Sequence, residues 1–427
     1  MRVFGLETEY GLHAEGLDAK HAARELFAGV DVGSQSPSFL VNGGRLYLDV
    51  GDHPEYATAE CASVEDVVAQ DRAGDHLVAD LAARATQRTG RVFTLFRDNS
   101  DGRGHSYGCH ENYSVRRDRF ERVAGPALVA FLVTRTAVVG AGGIRGGRFI
   151  LSERAFEIAT DFASASTHDR PLVNTRDQSL AGPDWRRLHV ICGDTNVLPA
   201  STALKVGATA LVLDALESRS FALSIDDPIG ALRAISEGGP RVVLESSLGS
   251  VDAIALQRRF LDLAGADGGW RGRVTQLWLR ALDALESDPQ ALVGQLDWPT
   301  KRALLAADAR RVGVGGLDEY LRSYSVRARR LSMLFHQVGG RVVRSFDSDW
   351  LEGGALERAL ASPPADTRAW VRGKLIELGH RFAAPLSVDW DTVRVGGEVV
   401  RLPDPLDADM GSAQRLEQLL ASRGGSF

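Results

Sequence analysis

"RLYLDVGDHPEYATAEC", residues 45–61, opens with strict alternation and then runs on into more carboxylates. A period of two is the pattern of a strand with one buried face. Arg45, Tyr47 and Asp49 then share one face, while Leu46, Leu48 and Val50 are expected to supply the core face. A second stretch has the same character. In "GLETEYG", Glu7 and Glu9 are two apart on a strand predicted over residues 3–11, so both carboxylates point the same way. Two carboxylates held close repel unless a cation or protons compensate. Glu55 and Glu60 follow soon after Asp49, His110 in "CHENY" and His189 in "RRLHV" lie on predicted strands, and Arg187 shares the face of His189. Singly, each has an ordinary reading as a solvated carboxylate or a satisfied histidine. Together they fit a sheet carrying Mg²⁺ sites, because that hard cation is held by a few carboxylates plus phosphate oxygens. Arg45 suits a phosphate. The chemistry served is phosphoryl transfer to an anion, followed by attack of an amine whose proton Asp49 accepts.

The rest of the chain frames this cluster. Residues 65–90 read as a long amphipathic helix closed by Gly90, 91–96 as a strand, 98–104 as a turn-rich connector, and 107–117 as a further strand. Helical patterns follow near 124–137 and 153–163, a strand at 186–194 and a helix around 201–218; residues 252–335 are mostly helical. A helix and two short strands, "LSVDW" and "TVRV/EVVRL", close the chain. The expected fold class is α+β, with a catalytic domain over 1–350 and a small C-terminal domain over 351–427.

The chain has 427 residues, 44% hydrophobic and 25% charged, with a formal net charge of −6, so nothing global points to nucleic acid or membrane. No run approaches the roughly 18 apolar residues of a membrane span. Cys61, Cys109 and Cys192 form no CxxC pair, which points to a cytoplasmic protein and to oxygen and imidazole metal ligands. Residues 301–344 hold ten Lys/Arg against three acids, either a solvated face or a docking surface for an acidic partner. Two motifs fail on context. "GHSYG" (104–108) lacks the strand before and helix after that a nucleophile elbow needs. "VVGAGGIRGG" (138–147) is followed by a strand-like segment rather than a helix, so it reads as a glycine turn.

With these residues stand "NGGRLYLDVGDHPEYATAEC", "SYGCHENY", "FLVTR", "RPLVNTRD", "RRLHVICGDTN", "LKVGATALVLD", "LDWPTK" and "PPADTRAWVRG". In that order, across nearly the whole chain, they resemble the family of Pup ligases and Pup depupylases/deamidases, relatives of glutamine synthetase and carboxylate–amine ligases. The resemblance implies a glutamine-synthetase-like antiparallel sheet with packed helices and a C-terminal domain that contributes to the nucleotide site. It places metal ligands on Glu7, Tyr47 and Glu55, ATP contacts on Arg45, Thr58 and Trp390, and the catalytic aspartate on Asp49. By analogy with glutamine synthetase, Glu9, His110 and His189 are second-metal ligands. The implied reaction uses ATP and Mg²⁺ to join a C-terminal glutamate of a small acidic disordered modifier, Pup or Pup-like, to a substrate lysine through a γ-glutamyl phosphate. The modifier is expected on the basic stretch 301–344. The short segment 12–41 lacks the long depupylase insertion and favours ligation; hydrolysis of the same bond and a non-catalytic paralogue are the alternatives. Two segments depart from the family pattern, "QSLAG" (178–182) and "YSVRARRLS" (324–332).

Overall fold

The alternating stretches around Glu7, Asp49 and His110 pair side by side. The computed structural model describes residues 1–28, 38–49, 51–102, 104–164, 169–177, 182–265, 268–340 and 349–422. Within them, eight strands form one sheet: β1 (Phe4–Glu9), β2 (Ser38–Phe39), β3 (Arg45–Asp49), β4 (His53–Ala57), β5 (Cys109–Arg116), β6 (Thr160–Ala163), β7 (Pro171–Asn174) and β8 (Trp185–Val190). Their spatial order is β6-β7-β8-β5-β1-β4-β3-β2, antiparallel except for the pair β6–β7.

One face is apolar and covered. Leu6, Leu46, Tyr56, Tyr113 and Leu188 alternate with the polar residues and are buried. Helix α1 (Val64–Thr89) packs beneath them, with Val67 and Val68 in the main core and Val78, Ala82 and Ala85 in a second one. Its ends follow helix-capping chemistry. The Ser63 hydroxyl accepts the Asp66 N–H at 3.1 Å, and Gly90, at φ +71°, donates its N–H to the Thr86 carbonyl. Helix α2 (Pro199–Ser218) is buried along nearly its whole length. The covered face also holds a buried ion pair between strand and helix. Glu111 accepts from both terminal nitrogens of Arg135 at 2.5 and 2.8 Å and from the Tyr113 hydroxyl. Helices α3 (Asp297–Arg311) and α4 (Ser325–His336) carry most of the basic stretch. No single helix among the described residues is long and apolar enough to cross a membrane.

Four expectations are corrected. The strand predicted over 3–11 breaks at Tyr10, and Gly11–Ala14 pairs instead with Phe93–Phe96. Residues 153–163 are not a helix: a short 3₁₀ turn at Arg154–Phe156 leads into β6, because pairing with β7 at the sheet edge overrides helical periodicity. Leu48 is 38% exposed, lying at the projecting end of the β3–β4 hairpin; Val50, and all of "QSLAG" but Gly182, lie outside the described residues. The final segment has three strands, because Gly396 and Gly397, both at positive φ, split the last predicted strand in two; a helix, Gly411–Ser422, follows.

That C-terminal sheet, β9 (Leu386–Val388), β10 (Thr392–Val395) and β11 (Glu398–Arg401), packs with helix α5 (Arg368–Arg381) around Val371, Leu375, Val393, Val395 and Leu416. This small core starts at Val371, whereas the helix Ala355–Ala361 lies on α1 through Ala359 against Ala69 and Ala73. The two cores are joined at Glu60, whose carboxylate accepts from Arg368 Nε at 2.7 Å and from Arg372. Burial alone would raise the Glu60 carboxyl, but the two guanidinium charges hold it at about 2. Its folded value is below its ordinary one, so the contribution is complete above pH 4.5 and is lost as pH falls through about 2. The linkage is on the order of 3 kcal/mol. Denaturant unfolding between pH 6 and 2 should therefore show a loss of stability on the acid side that Glu60→Gln reduces.

Candidate active site

The uncovered face of the sheet is a grid set by strand register. In one row Tyr47 faces Glu55 across β3–β4, and Glu55 faces Glu9 across β4–β1. In the next, Arg45 faces Ala57, Ala57 faces Glu7, and Glu7 faces His110. In a third, Gly5 faces Asn112, and Asn112 faces His189. Asp49 lies one row beyond Tyr47, opposite His53. Each step of two residues along a strand keeps the side chain on the same face, so residues up to 182 positions apart in sequence converge.

Two ligand groups result. Glu7, His110 and His189 offer atoms within 4.8 Å of one another, and so do Glu9, Asp49 and Glu55. The sequence had grouped them otherwise, with Glu7 beside Tyr47 and Glu55, and Glu9 beside the histidines. The cross-strand offset sets the observed partition: Glu7 is opposite His110, while Glu9 is opposite Glu55. Gly108 is required here, since a Cβ would come within 2.6 Å of His110 Nε2 and 2.7 Å of a Glu9 oxygen.

The charges are compensated unevenly. Burial would raise Glu7, but a hydrogen bond from His110 and the nearby Arg187 charge more than reverse it, holding the carboxyl well below its usual range. Burial also opposes ionisation of Glu9, and the His53 hydrogen bond at 3.0 Å, the His110 and His53 charges and a backbone hydrogen bond from Gly108 together outweigh it. Glu55 has less help, a hydrogen bond from the Tyr47 hydroxyl. Burial and the carboxylates of Glu7 and Glu9 push it well above the ordinary value. Burial and the carboxylates of Glu7 and Glu55 raise the Tyr47 phenol, which is therefore a neutral hydroxyl. Burial and the Arg187 charge lower His189, so its ring is neutral. Arg187 lies 2.7 Å from His189 Nδ1 and can only donate, which puts the ring proton on Nε2, 3.6 Å from Glu7.

Beside the grid an open cleft of about 700 Å³ runs between β1, β4, β5 and the C-terminal module. Gly5, Thr58, Arg187 and Trp390 line it. Thr58 Oγ1 accepts the Leu6 N–H at 3.0 Å, and a Cβ on Gly5 would come within 2.9 Å of that oxygen. Arg45 stacks on Tyr47 at 4.4 Å, and its buried Nε has no hydrogen-bond partner among the described residues. The Arg187 Nε is in the same state.

The sequence reading brought out Glu7, Glu9, Tyr47, Asp49, Glu55, His110 and His189, and the fold brings all seven to one face. Thr58 and Trp390 meet at the cleft. Glu60, read with the acidic crowd, instead faces Arg368 and Arg372. His53, Asn112 and Tyr107 were not singled out. His53 holds Glu9, Asn112 donates to Glu7 at 3.2 Å, and the Tyr107 ring lies 4.8 Å from that of His53. For Asn112 the signal was present: two residues after His110, it had to share its face.

Comparison with known proteins gives the family. The family model described as Pup-ligase protein matches residues 2–394. A Pup–protein ligase of Corynebacterium diphtheriae is 37% identical over 98% of this chain and 94% of its own length. One of Actinosynnema mirum is 38% identical over 99% of each. Among solved structures, the ligase PafA in complex with Pup superposes with a TM-score of 0.89 at 31% identity, covering 99% of this chain and 92% of that one. PafA in complex with ADP gives 0.82 at 31% identity, covering 97% and 96%. With the match running through β1, the β3–β4 hairpin, β5, β8 and the C-terminal strands alike, the chain belongs to the Pup ligase family.

Proposed function

We propose that this chain joins the side-chain carboxylate of the C-terminal glutamate of a small modifier, Pup or a Pup-like protein, to lysines of target proteins, using ATP and Mg²⁺. The observation that carries it is the crowd of carboxylates beside a cleft lined by Arg187, with Arg45 next to its Ala57 lining, each arginine having a buried Nε without a partner among the described residues. An acid cluster with a raised Glu55 fits a hard divalent cation, and orphaned Arg donors fit phosphate. The relatives' names and the PafA complexes with Pup and with ADP support the same reading.

Glu7, Tyr47 and Glu55 would hold metal, with Glu9, His110 and His189 completing the set. His189 ligates through Nε2 only when its ring proton moves to Nδ1 and the Arg187 contact is released. Arg45, Thr58 and Trp390 would hold the nucleotide, with the C-terminal module forming the far wall of the cleft. Bound Mg²⁺ and ATP supply the phosphoryl group that activates the modifier's carboxylate, and the positive charge that lets one anion attack another. Arg45 and Arg187 add fixed positive charge at the same place. Asp49, beside the Glu9–Glu55 row at the hairpin end, takes the proton of the lysine amine as its nitrogen attacks the activated carbonyl and phosphate departs.

The modifier would dock on α3 and α4. Lys301 is buried, and Arg311 and Arg327 are paired with Asp308, but Arg302, Arg310, Arg322, Arg329 and Arg330 are exposed. Val326, Met333 and Leu334 are exposed among them, giving an acidic amphipathic segment both charge and apolar contact. Arg329 reaches the Gly102 carbonyl, so this surface borders the loop that carries Tyr107 to the acid grid.

Asp49→Asn should keep the fold and lower conjugation of the modifier to a lysine-bearing target by about 10²-fold or more, read by gel shift with ATP present. Unchanged conjugation would remove Asp49 from the mechanism. In metal-free protein, Glu55→Gln should raise the melting temperature by relieving like-charge repulsion, while abolishing most of the further rise that Mg²⁺ gives the parent. Modifier affinity measured by calorimetry should fall steeply as salt is raised above about 0.1 M; an affinity indifferent to salt would exclude the basic helices as its dock.

A further inference from the structure

We propose that Glu60 is a positioning residue for the nucleotide: by clamping Arg368 and Arg372 it fixes Trp390, in the wall of the cleft, against Phe39. This rests on the reading of that cleft as the nucleotide site. Glu60 follows β4 by three residues and has left the acid grid altogether. Its carboxylate is the acceptor for two guanidinium groups of α5, at 2.7 Å to Arg368 Nε and 3.0 Å to Arg372, and its backbone carbonyl takes the Thr367 hydroxyl at 2.8 Å. Glu60 thus helps to fasten the small C-terminal core to the main sheet.

Both arginines go on to hold the cleft. Arg372, with no exposed side-chain surface, donates to the Trp390 carbonyl at 2.9 Å and to the Gly43 carbonyl at 2.9 Å. Its guanidinium lies 5.0 Å from the Trp390 ring and 5.3 Å from the Phe39 ring. Phe39 meets Trp390 edge to face at 5.0 Å, and Arg45 sits over the Phe39 ring at 5.6 Å. Arg368 donates to the Leu402 carbonyl, and its backbone N–H bonds the carbonyl of Pro405, another residue of the cleft wall. One unbroken set of contacts runs from Glu60 through Arg372, Trp390 and Phe39 to Arg45 and on to Tyr47, linking the C-terminal module to the acid grid. Alone, the Trp390 loop has little to fix it: the neighbouring strands are three and four residues long. Removing the Glu60 charge leaves a buried guanidinium unpaired, which it can relieve only by moving, and Trp390 moves with it.

The test uses the full chain and ADP as the probe. Glu60→Gln should weaken ADP binding, measured by calorimetry, by about tenfold or more, and raise the KM for ATP while leaving kcat at saturation within about threefold. Glu60→Asp should recover part of the affinity. The part of the ADP-induced fluorescence change assigned to Trp390, by comparison with Trp390→Phe, should shrink in parallel. Phe39→Leu, which leaves the ion cluster intact, should reproduce the weaker binding and covers the case in which Glu60→Gln fails to fold. If the parent chain binds ADP but Glu60→Gln and Phe39→Leu both bind it within about twofold of the parent, the clamp is wrong while the nucleotide site stands. If the parent binds no ADP, the nucleotide reading falls and the clamp with it.

Discussion

Like charges placed directly opposite across a sheet repel at close range, and this sheet does that by design of its register. Glu9 and Glu55 are cross-strand partners, a geometry that puts their Cβ atoms about 5 Å apart. Glu7 and Asp49 stand one row away on either side. No polar surface would hold that arrangement unaided. It is held from below, where Leu6, Leu46, Tyr56 and Tyr113 are locked onto α1 and the rest of the core, and where Glu111 and Arg135 pin β5 to the helices. A one-residue slip of any strand would bury the carboxylates and expose the core, so the hydrophobic face fixes the electrostatics of the other.

Compensation within the grid is partial. His53, His110 and Arg187 settle Glu9 and Glu7, while Glu55, with a hydrogen bond from Tyr47, still faces burial and the charges of Glu7, Glu9 and Asp49. An unsettled carboxylate next to settled ones is the state that a divalent cation or a proton completes. The loop over the site is tied in separately. His336, the last residue of α4, bonds the Arg97 carbonyl at 2.8 Å and contacts Lys301 of α3, so the basic helices and the loop starting at Arg97 share an anchor.

Much of this was legible in the residues. The alternation of Arg45-Leu-Tyr-Leu-Asp49 gave Arg45, Tyr47 and Asp49 a common face, that of the strand bearing Glu7 and Glu9 did the same for those two, and the helix read over 65–90 and closed by Gly90 matches α1 to within a residue. What escaped had physical reasons. Residues 153–163 carry a helical spacing, but the open edge of β7 offers backbone partners that spacing does not reveal. Leu48 has the right parity for the core yet lies past its edge. The pairing of Glu7 with the histidines and Glu9 with Glu55 depends on strand offsets, which no single strand encodes. Glu60 looked like one more ligand because its two arginines are more than 300 residues away. Trp390 was identified by the family pattern alone, since a tryptophan after a short strand has no signature of its own.

The sheet order has a consequence for how the chain is made. β1 leaves the ribosome before its neighbours β4 and β5, which are complete only at residues 57 and 116. Until then a strand destined for the middle of the sheet has two bare edges, the state in which strands of different molecules join. Glu7 and Glu9 put two negative charges on a six-residue strand. Nascent copies of that strand repel one another, so the acids of the mature site also serve, earlier, as guards against mispairing.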